Sequence, residues 1–239
     1  MTAFADDPVL ALMTEHTDRL LQSVARLDDD DLRAPSRLPG WTRGHVLTHV
    51  ARNADALGNV VRSGLTGHLT PMYESTERRN ADIEDGSGRS PADIEADIES
   101  SAERLLALLA DVPADLVDTT VPTGRGWDLS LQDVPWMRLR EVTYHHVDLG
   151  VGFSLAILPD DVLRRGLLES ADRFAAVSPG AQVVARFADS TDLELTIGDG
   201  AVAVAGPAAD ALAWLTGRSD GSGLTTSRDV PLPKLPSWG

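Results

Sequence analysis

The segment MRLREVTYHHVDLG, residues 137–150, has the apolar spacing of the last part of a helix. It places Glu141 and His145 four residues apart, so their side chains lie one above the other on one helix face. Val134 and Met137, which we expect in a core, belong to that face as well. Burying an ionised carboxylate there is unfavourable unless it is paired or bound to a metal ion. The segment therefore predicts a polar site inside a helix bundle.

A second helical segment offers partners for this site. GHVLTHVARN, residues 44–53, places His45 and His49 four apart, and His49 shares its face with Val46 and Ala56. Helix bundles build metal centres from inward-pointing histidine and glutamate on facing helices. Two imidazoles and a carboxylate, without sulfur, suit Zn²⁺ and, less exclusively, Fe²⁺, Mn²⁺ or Ni²⁺. Three protein ligands leave a coordination position open, as in catalytic sites.

The spacing by itself leaves a second interpretation open. A glutamate and a histidine four residues apart also occur as a surface or capping interaction. A third interpretation is that His145 is a core histidine whose hydrogen bonds are satisfied by neighbouring groups.

The first 150 residues have the pattern of four long helices joined by unequal connections, which predicts an antiparallel four-helix bundle. Thr42 and Ser90 are the expected N-caps of two of them, and Gly150 the expected C-terminal glycine of the fourth. The polar segment 67–90 predicts a long functional loop, a lid or a loosely ordered linker. The predicted helices span residues 8–27, 42–65, 90–112 and 131–149.

The pattern changes after Gly150. A short linker and a helix precede three short, β-branched segments, QVVARFAD, LELTIG and AVAVAG, and a last helix begins near Pro207. The proline-rich tail, 230–239, is expected to be extended. The fold class is therefore α+β, with a bundle domain over 1–152 and a small α+β domain over 153–239.

The amino-acid composition indicates which classes of binding partner to expect. The formal net charge of −16 disfavours nucleic acid and anionic membranes, and no apolar run is long enough to span a bilayer. The first residues lack the basic region of a secretion signal, so we expect a cytoplasmic protein. The helical segments show no exposed coiled-coil seam, so we expect a monomer. The chain contains no cysteine, so any thiol chemistry needs an external thiol. A small anionic substrate would need local arginines.

Four segments together resemble the mycothiol-dependent maleylpyruvate isomerases, a family of the DinB-like metalloenzyme superfamily. The similarity extends over nearly the whole chain, and its segments are GWTRGHVLTHVARNA, TPMYESTERRN, WMRLREVTYHHVDLG and GRSDG. It implies a DinB-like four-helix bundle, a C-terminal sterol-carrier-like α+β domain, and a site in the cleft between them. It also implies zinc held by His49, Glu141 and His145, which leaves His45 and His146 outside the ligand set.

The resemblance implies roles for other residues. Arg218 matches a catalytic arginine and would clamp a carboxylate of a dianionic substrate; the alternative is a cation that favours a helix C-terminus. Tyr73, Arg79 and Asn80 match positions that would bind the cosubstrate. Asp148, one turn after His145, either orients a ligand imidazole or lies exposed at the helix end.

The implied reaction is a cis–trans isomerisation. Zinc lowers the pKa of the thiol of mycothiol, and the thiolate adds to the cis double bond of maleylpyruvate. The resulting single bond rotates, and elimination of the thiolate gives fumarylpyruvate. Two alternatives remain: a mycothiol S-transferase that shares the metal triad, and a non-catalytic protein whose C-terminal unit binds a lipid while the histidines pack or scavenge metal.

Overall fold

The computed structural model describes residues 2–227 and 230–237. The chain divides into two compact units, Met1–Val151 and Gly152–Gly239. The first is built mainly of helices, and the second combines helices with a four-stranded sheet. The predicted α+β class, with a helical N-terminal part and a mixed C-terminal part, is confirmed.

Four long helices form the bundle of the first unit. α3 packs against α5, and α6 packs against both α1 and α3. Their shared core consists of aliphatic side chains without solvent exposure, among them Leu20, Val46, Ile94 and Val142. The helices of this unit are α1 (Pro8–Val24), α2 (Asp29–Arg33), α3 (Arg43–Thr66), α4 (Thr76–Ser87), α5 (Pro91–Ala110) and α6 (Val134–Asp148).

Local signals explain where these helices begin and end. Thr42 caps α3, and its hydroxyl accepts the backbone N–H of His45. Ser90 caps α5 in the same way. Gly150 follows α6 with φ of +69°, the left-handed conformation that favours glycine. All three predicted terminal residues are confirmed.

The polar segment 67–90 differs from the expected long loop or linker, because it contains the three-turn helix α4. Ser75 caps this helix, and Ile83 is its one buried large apolar side chain. Gly86 lets α4 lie directly on α3, since a Cβ at that position would clash with Cγ2 of Thr48. Such a narrow buried stripe gives almost no hydrophobic periodicity, which is why the sequence pattern predicted a loop.

A short hairpin in the first unit had no counterpart in the sequence prediction. β1 (Thr120–Pro122) pairs antiparallel with β2 (Asp128–Ser130), and a 3-10 turn, Leu131–Asp133, leads from it into α6. The backbone N–H of Met72 donates to the carbonyl of Thr123 at 3.1 Å. The hairpin is therefore attached to the segment that precedes α4.

The second unit combines two α-helices with a four-stranded sheet. The strand order is β4-β3-β5-β6, with β3 and β5 parallel and the other pairs antiparallel. The predicted linker after Gly150 contains a 3-10 turn, Leu155–Ile157. The elements of this unit are α7 (Asp160–Arg173), β3 (Ala181–Arg186), β4 (Asp192–Ile197), β5 (Val202–Pro207), α8 (Ala208–Leu215) and β6 (Thr225–Thr226). Over the described residues of both units, no helix combines the length and the apolar character that a membrane crossing needs.

Candidate metal centre

The bundle brings together His49 from α3 and Glu141 and His145 from α6. Nε2 of His49 lies 3.2 Å from Oε2 of Glu141, and Nε2 of His145 lies 3.5 Å from the same oxygen. The two imidazole rings are nearly perpendicular, with centroids 4.7 Å apart. All three donor atoms lie within 4.8 Å of one another. Across the part of the chain that the structure describes, this is the group of histidine and acidic side chains whose donors converge in this way.

The distances from Glu141 to the two imidazoles fit a small divalent cation. Metal–ligand bonds of about 2.1 Å in a tetrahedral arrangement place neighbouring ligand atoms about 3.4 Å apart. The two contacts of Glu141, at 3.2 and 3.5 Å, bracket that value. The donor set of two nitrogens and one oxygen suits zinc and related transition metals.

Charge is distributed unevenly over the three side chains. Burial alone would raise the pKa of Glu141, yet its hydrogen bonds with His145 and His49 hold that pKa well below the usual range. Burial would lower the pKa of His145, but its hydrogen bonds with Asp148 and Glu141 raise it. Burial lowers the pKa of His49 to about 4. Without a cation, the centre therefore holds an ionised Glu141 and a neutral His49.

Asp148 is hydrogen-bonded to one of the candidate ligands. Its Oδ2 lies 2.9 Å from Nδ1 of His145, and its side chain is 1% exposed. Metal-binding histidines commonly donate their outer N–H to such a carboxylate, which fixes the ring and its tautomer. The interpretation of Asp148 as an exposed helix-end residue is therefore wrong.

Arg79 approaches the other imidazole. Its Nη2 lies 3.2 Å from Nδ1 of His49. A guanidinium can only donate, so Nδ1 accepts here and His49 carries its proton on Nε2, from which it donates to Glu141. The Trp41 ring meets His49 edge-on at a centroid distance of 5.6 Å, and Arg79 lies 5.9 Å from the Trp41 centroid.

Tyr73 contacts the same arginine, Arg79, through its aromatic ring. The guanidinium carbons of Arg79 and Arg125 lie 5.6 and 5.8 Å from the centroid of its ring. Burial, followed by the charge of Glu141, raises the pKa of Tyr73. Asn80 is exposed and accepts a hydrogen bond from Nη1 of Arg79 at 3.1 Å. The structure thus brings Tyr73 and Arg79 to the centre and leaves Asn80 at its surface edge.

The two other histidines of these helices lie outside the donor group. Nδ1 of His45 is 2.7 Å from the hydroxyl of Thr42, and its Nε2 is 3.1 Å from Glu84. His146 is buried, with Nε2 2.9 Å from the hydroxyl of Ser23. Both therefore have structural contacts of their own.

The sequence analysis did not predict a buried cation on α6, the helix that carries Glu141 and His145. Arg138, one turn before Glu141, is 1% exposed, and its Nη1 donates to the carbonyl of Val50 at 2.6 Å and to Asn53 at 3.0 Å. Burial lowers the pKa of Arg138 to about 10. In the sequence, Arg138 lies three residues before Glu141, so the two side chains lie close together on one helix face. This spacing is the signal that could have indicated an arginine near the centre.

Arg218 belongs to the second unit. It follows α8, where its backbone N–H donates to Ala213 at 2.7 Å and its Nη1 donates to the carbonyl of Thr216 at 2.9 Å. These carbonyls belong to the C-terminal turn of the helix, so the contacts match the alternative interpretation of a helix-end cation. The catalytic role of Arg218 stays a prediction.

The fold and the site together define a class: helical-bundle proteins in which two histidines and one carboxylate converge inside the bundle, followed by an α+β unit. Residues 13–150 match the family model described as the mycothiol maleylpyruvate isomerase N-terminal domain. The chain belongs to this family, which makes it an isomerase-type enzyme, as predicted.

Two solved structures resemble the chain over its whole length. Both are of the mycothiol-dependent maleylpyruvate isomerase, one of them as a histidine-to-alanine mutant. The mutant shares 32% sequence identity with this chain, and the other structure shares 33%. Each superposes on it with a TM-score of 0.85, and each match covers 100% of both chains. No curated protein sequence matches the chain.

Proposed function

We propose that this protein isomerises maleylpyruvate to fumarylpyruvate with mycothiol as thiol cosubstrate and Zn²⁺, or another divalent metal, at the centre of His49, Glu141 and His145. The observation that carries the proposal is the convergence of these three donors within 4.8 Å in a chain of this family. The absence of cysteine from the chain agrees with a thiol supplied from outside.

Each of the three donor side chains has its own role in the proposed centre. His49 and His145 would bind the cation through Nε2, and Glu141 through Oε2. Asp148 holds Nδ1 of His145, so that ring keeps its Nε2 directed at the centre. A divalent cation in this position lowers the pKa of a bound thiol, which supplies a nucleophile at neutral pH. Three protein ligands leave a position for the thiol.

Other residues would bind the organic parts. Arg79 and Tyr73, with Asn80 at the edge, are proposed to contact the cosubstrate or substrate beside the donors. Arg218 is proposed to bind a carboxylate and to stabilise the negative charge that develops on the substrate carbonyl. Its support is the match to the family motif rather than its contacts.

The net charge of −16 favours small molecules over nucleic acid or a membrane surface as partners. We propose a cytoplasmic monomer composed of a bundle domain, 1–152, and an α+β domain, 153–239.

The test is an isomerase assay combined with metal analysis. Glu141→Gln should lose bound metal and turnover together, because a neutral amide is a poor ligand for a divalent cation. Glu84→Gln is the matched control, since Glu84 also pairs with a histidine of α3 but lies outside the centre. Full metal content and turnover in Glu141→Gln would overturn the site. Consumption of mycothiol by the wild type would favour the S-transferase instead.

A further inference from the structure

We propose that Arg125, in the turn of the β1–β2 hairpin, binds a carboxylate of the substrate beside Tyr73 and so selects dianions. The inference rests on the proposed function, because it specifies how the same site recognises its substrate.

The hairpin turn is built to hold Arg125 in one place. Gly124 and Gly126 on either side have φ of +78° and +85°, conformations that other residues rarely adopt. The hydroxyl of Thr123 donates to the carbonyl of Trp127 at 2.6 Å and accepts the backbone N–H of Arg125 at 3.3 Å. The turn therefore presents its arginine from an ordered backbone.

The same turn is attached to the segment that carries Tyr73. Met72 donates its backbone N–H to the carbonyl of Thr123 at 3.1 Å, and a Cβ at Gly124 would come within 3.0 Å of Cβ of Pro71. These contacts place the guanidinium of Arg125 5.8 Å from the ring centroid of Tyr73. Arg79 lies 5.6 Å from the centroid of the same ring and 3.2 Å from Nδ1 of His49, so Tyr73 and Arg79 connect Arg125 to the donor group.

The charge of Arg125 is available to a ligand. Other arginines of this unit form ion pairs, such as Arg78 with Asp82 at 2.8 Å and Arg104 with Asp55 at 2.7 Å. Arg79 directs its Nη groups at His49 and Asn80. Considering only residues 2–227 and 230–237, neither an ion pair nor a side-chain hydrogen bond engages the guanidinium of Arg125, which is exposed.

A carboxylate fits this position best. The chain has 37 acidic against 21 basic residues, so a free guanidinium beside the centre is a local exception to a repulsive surface. A guanidinium binds a carboxylate with two parallel N–H···O bonds. The Tyr73 ring stabilises the cation by a cation–π contact, which keeps the guanidinium of Arg125 beside the ring.

Binding of an unreactive ligand tests the inference directly. The probe is the saturated analogue of the substrate, a dicarboxylate without the double bond, together with its two monoesters. Arg125→Gln should weaken binding of the dicarboxylate roughly tenfold, the effect of one charge-assisted hydrogen-bonded pair. The monoester that lacks the carboxylate bound by Arg125 should bind wild type and variant equally.

Two further variants control the experiment. Arg78→Gln removes the same charge from an exposed arginine that is already paired, so it should leave all three dissociation constants unchanged. Arg125→Lys keeps the charge without the planar fork and should recover part of the affinity. Equal weakening of the dicarboxylate and both monoesters in Arg125→Gln, or no weakening at all, would overturn the inference.

Turnover separates this inference from the proposed function. If wild type isomerises the substrate, Arg125→Gln should raise KM about tenfold with kcat little changed. A wild type that binds the dicarboxylate through Arg125 but never isomerises maleylpyruvate overturns the proposed reaction and leaves the carboxylate site standing. Normal isomerisation with Arg125→Gln indistinguishable from wild type overturns the carboxylate site alone.

Discussion

Nη2 of Arg79 lies 3.2 Å from Nδ1 of His49, so a donor faces the outer nitrogen of a candidate metal ligand. This contact requires the His49 tautomer with its proton on Nε2, the nitrogen that also faces Glu141. A cation bound at Nε2 requires the opposite tautomer, with the proton on Nδ1. The Arg79 contact and metal ligation by His49 therefore oppose each other.

Arg79→Met should for this reason bind metal at least as tightly as wild type, and about fivefold more tightly if one hydrogen bond stabilises the metal-free tautomer. Competition with a chromophoric chelator measures the difference. Arg78→Met, which removes the neighbouring charge without touching His49, is the control. Weaker metal binding by Arg79→Met would show that the guanidinium supports the ligated state.

Asp148 has the opposite effect on its histidine. Its carboxylate accepts from Nδ1 of His145 and leaves Nε2 for the cation. Asp148→Asn should lower metal affinity about 10- to 100-fold, the usual consequence of removing such a carboxylate. Asp85→Asn, on the exposed side of α4, should leave the affinity unchanged. An unchanged affinity in Asp148→Asn, with normal unfolding behaviour, would refute the orienting role.

Protons should compete with the metal at His145. Its hydrogen bonds with Asp148 and Glu141 raise its pKa against the effect of burial, so a proton must leave before the ring can bind a cation. Metal affinity should be full above that pKa and fall below it by up to about tenfold per pH unit. Chelator titrations over a pH series measure the slope. An affinity that stays constant through the acid range would contradict the protonated state of the metal-free centre.

The sequence allowed prediction of the part of the site that depends on helix spacing. Glu141 and His145 occupy one helix face by periodicity, and His49 occupies a core-facing position of a second helix. Their convergence depends on how α3 packs against α6, which periodicity does not specify. The family resemblance supplied that pairing.

Contacts made through turns and small residues were beyond the sequence pattern. Arg125 reaches Tyr73 only because a hairpin turn is attached to Met72, a contact between segments about fifty positions apart. α4 forms on a single buried Ile83 and on glycine contacts, so its stripe is too narrow to detect. Both features follow from tertiary packing, which overrides local propensity.

The contact of α4 with α3 gives a stability prediction. A Cβ at Gly86 would clash with Cγ2 of Thr48, so Gly86→Ala should lower the free energy of unfolding by about 1–3 kcal/mol. Gly88→Ala is the matched control, because no atom lies within 4 Å of its added Cβ. Thr48→Ala combined with Gly86→Ala should recover part of the loss. Urea unfolding that gives the same value for Gly86→Ala and Gly88→Ala would contradict the close approach.

Acid should destabilise the α1–α6 contact through His146. Burial, together with the charges of His16 and Arg26, lowers the pKa of His146 from 6.5 to about 4. The unfolded chain therefore takes up a proton at a higher pH than the folded one, and stability that is complete above pH 6.5 is lost as the pH falls toward 4. A shift of this size corresponds to at most about 3 kcal/mol.

Urea unfolding of the wild type and His146→Gln, at about pH 7 and about pH 4.5, measures this contribution. The glutamine keeps a polar group near the Ser23 hydroxyl but takes up no proton. The variant should thus lose less stability between the two pH values than the wild type does. His68→Gln, at an exposed histidine, should behave as the wild type. Equal acid sensitivity in His146→Gln and the wild type would mean that other groups, such as His49 with its pKa of about 4, account for the loss.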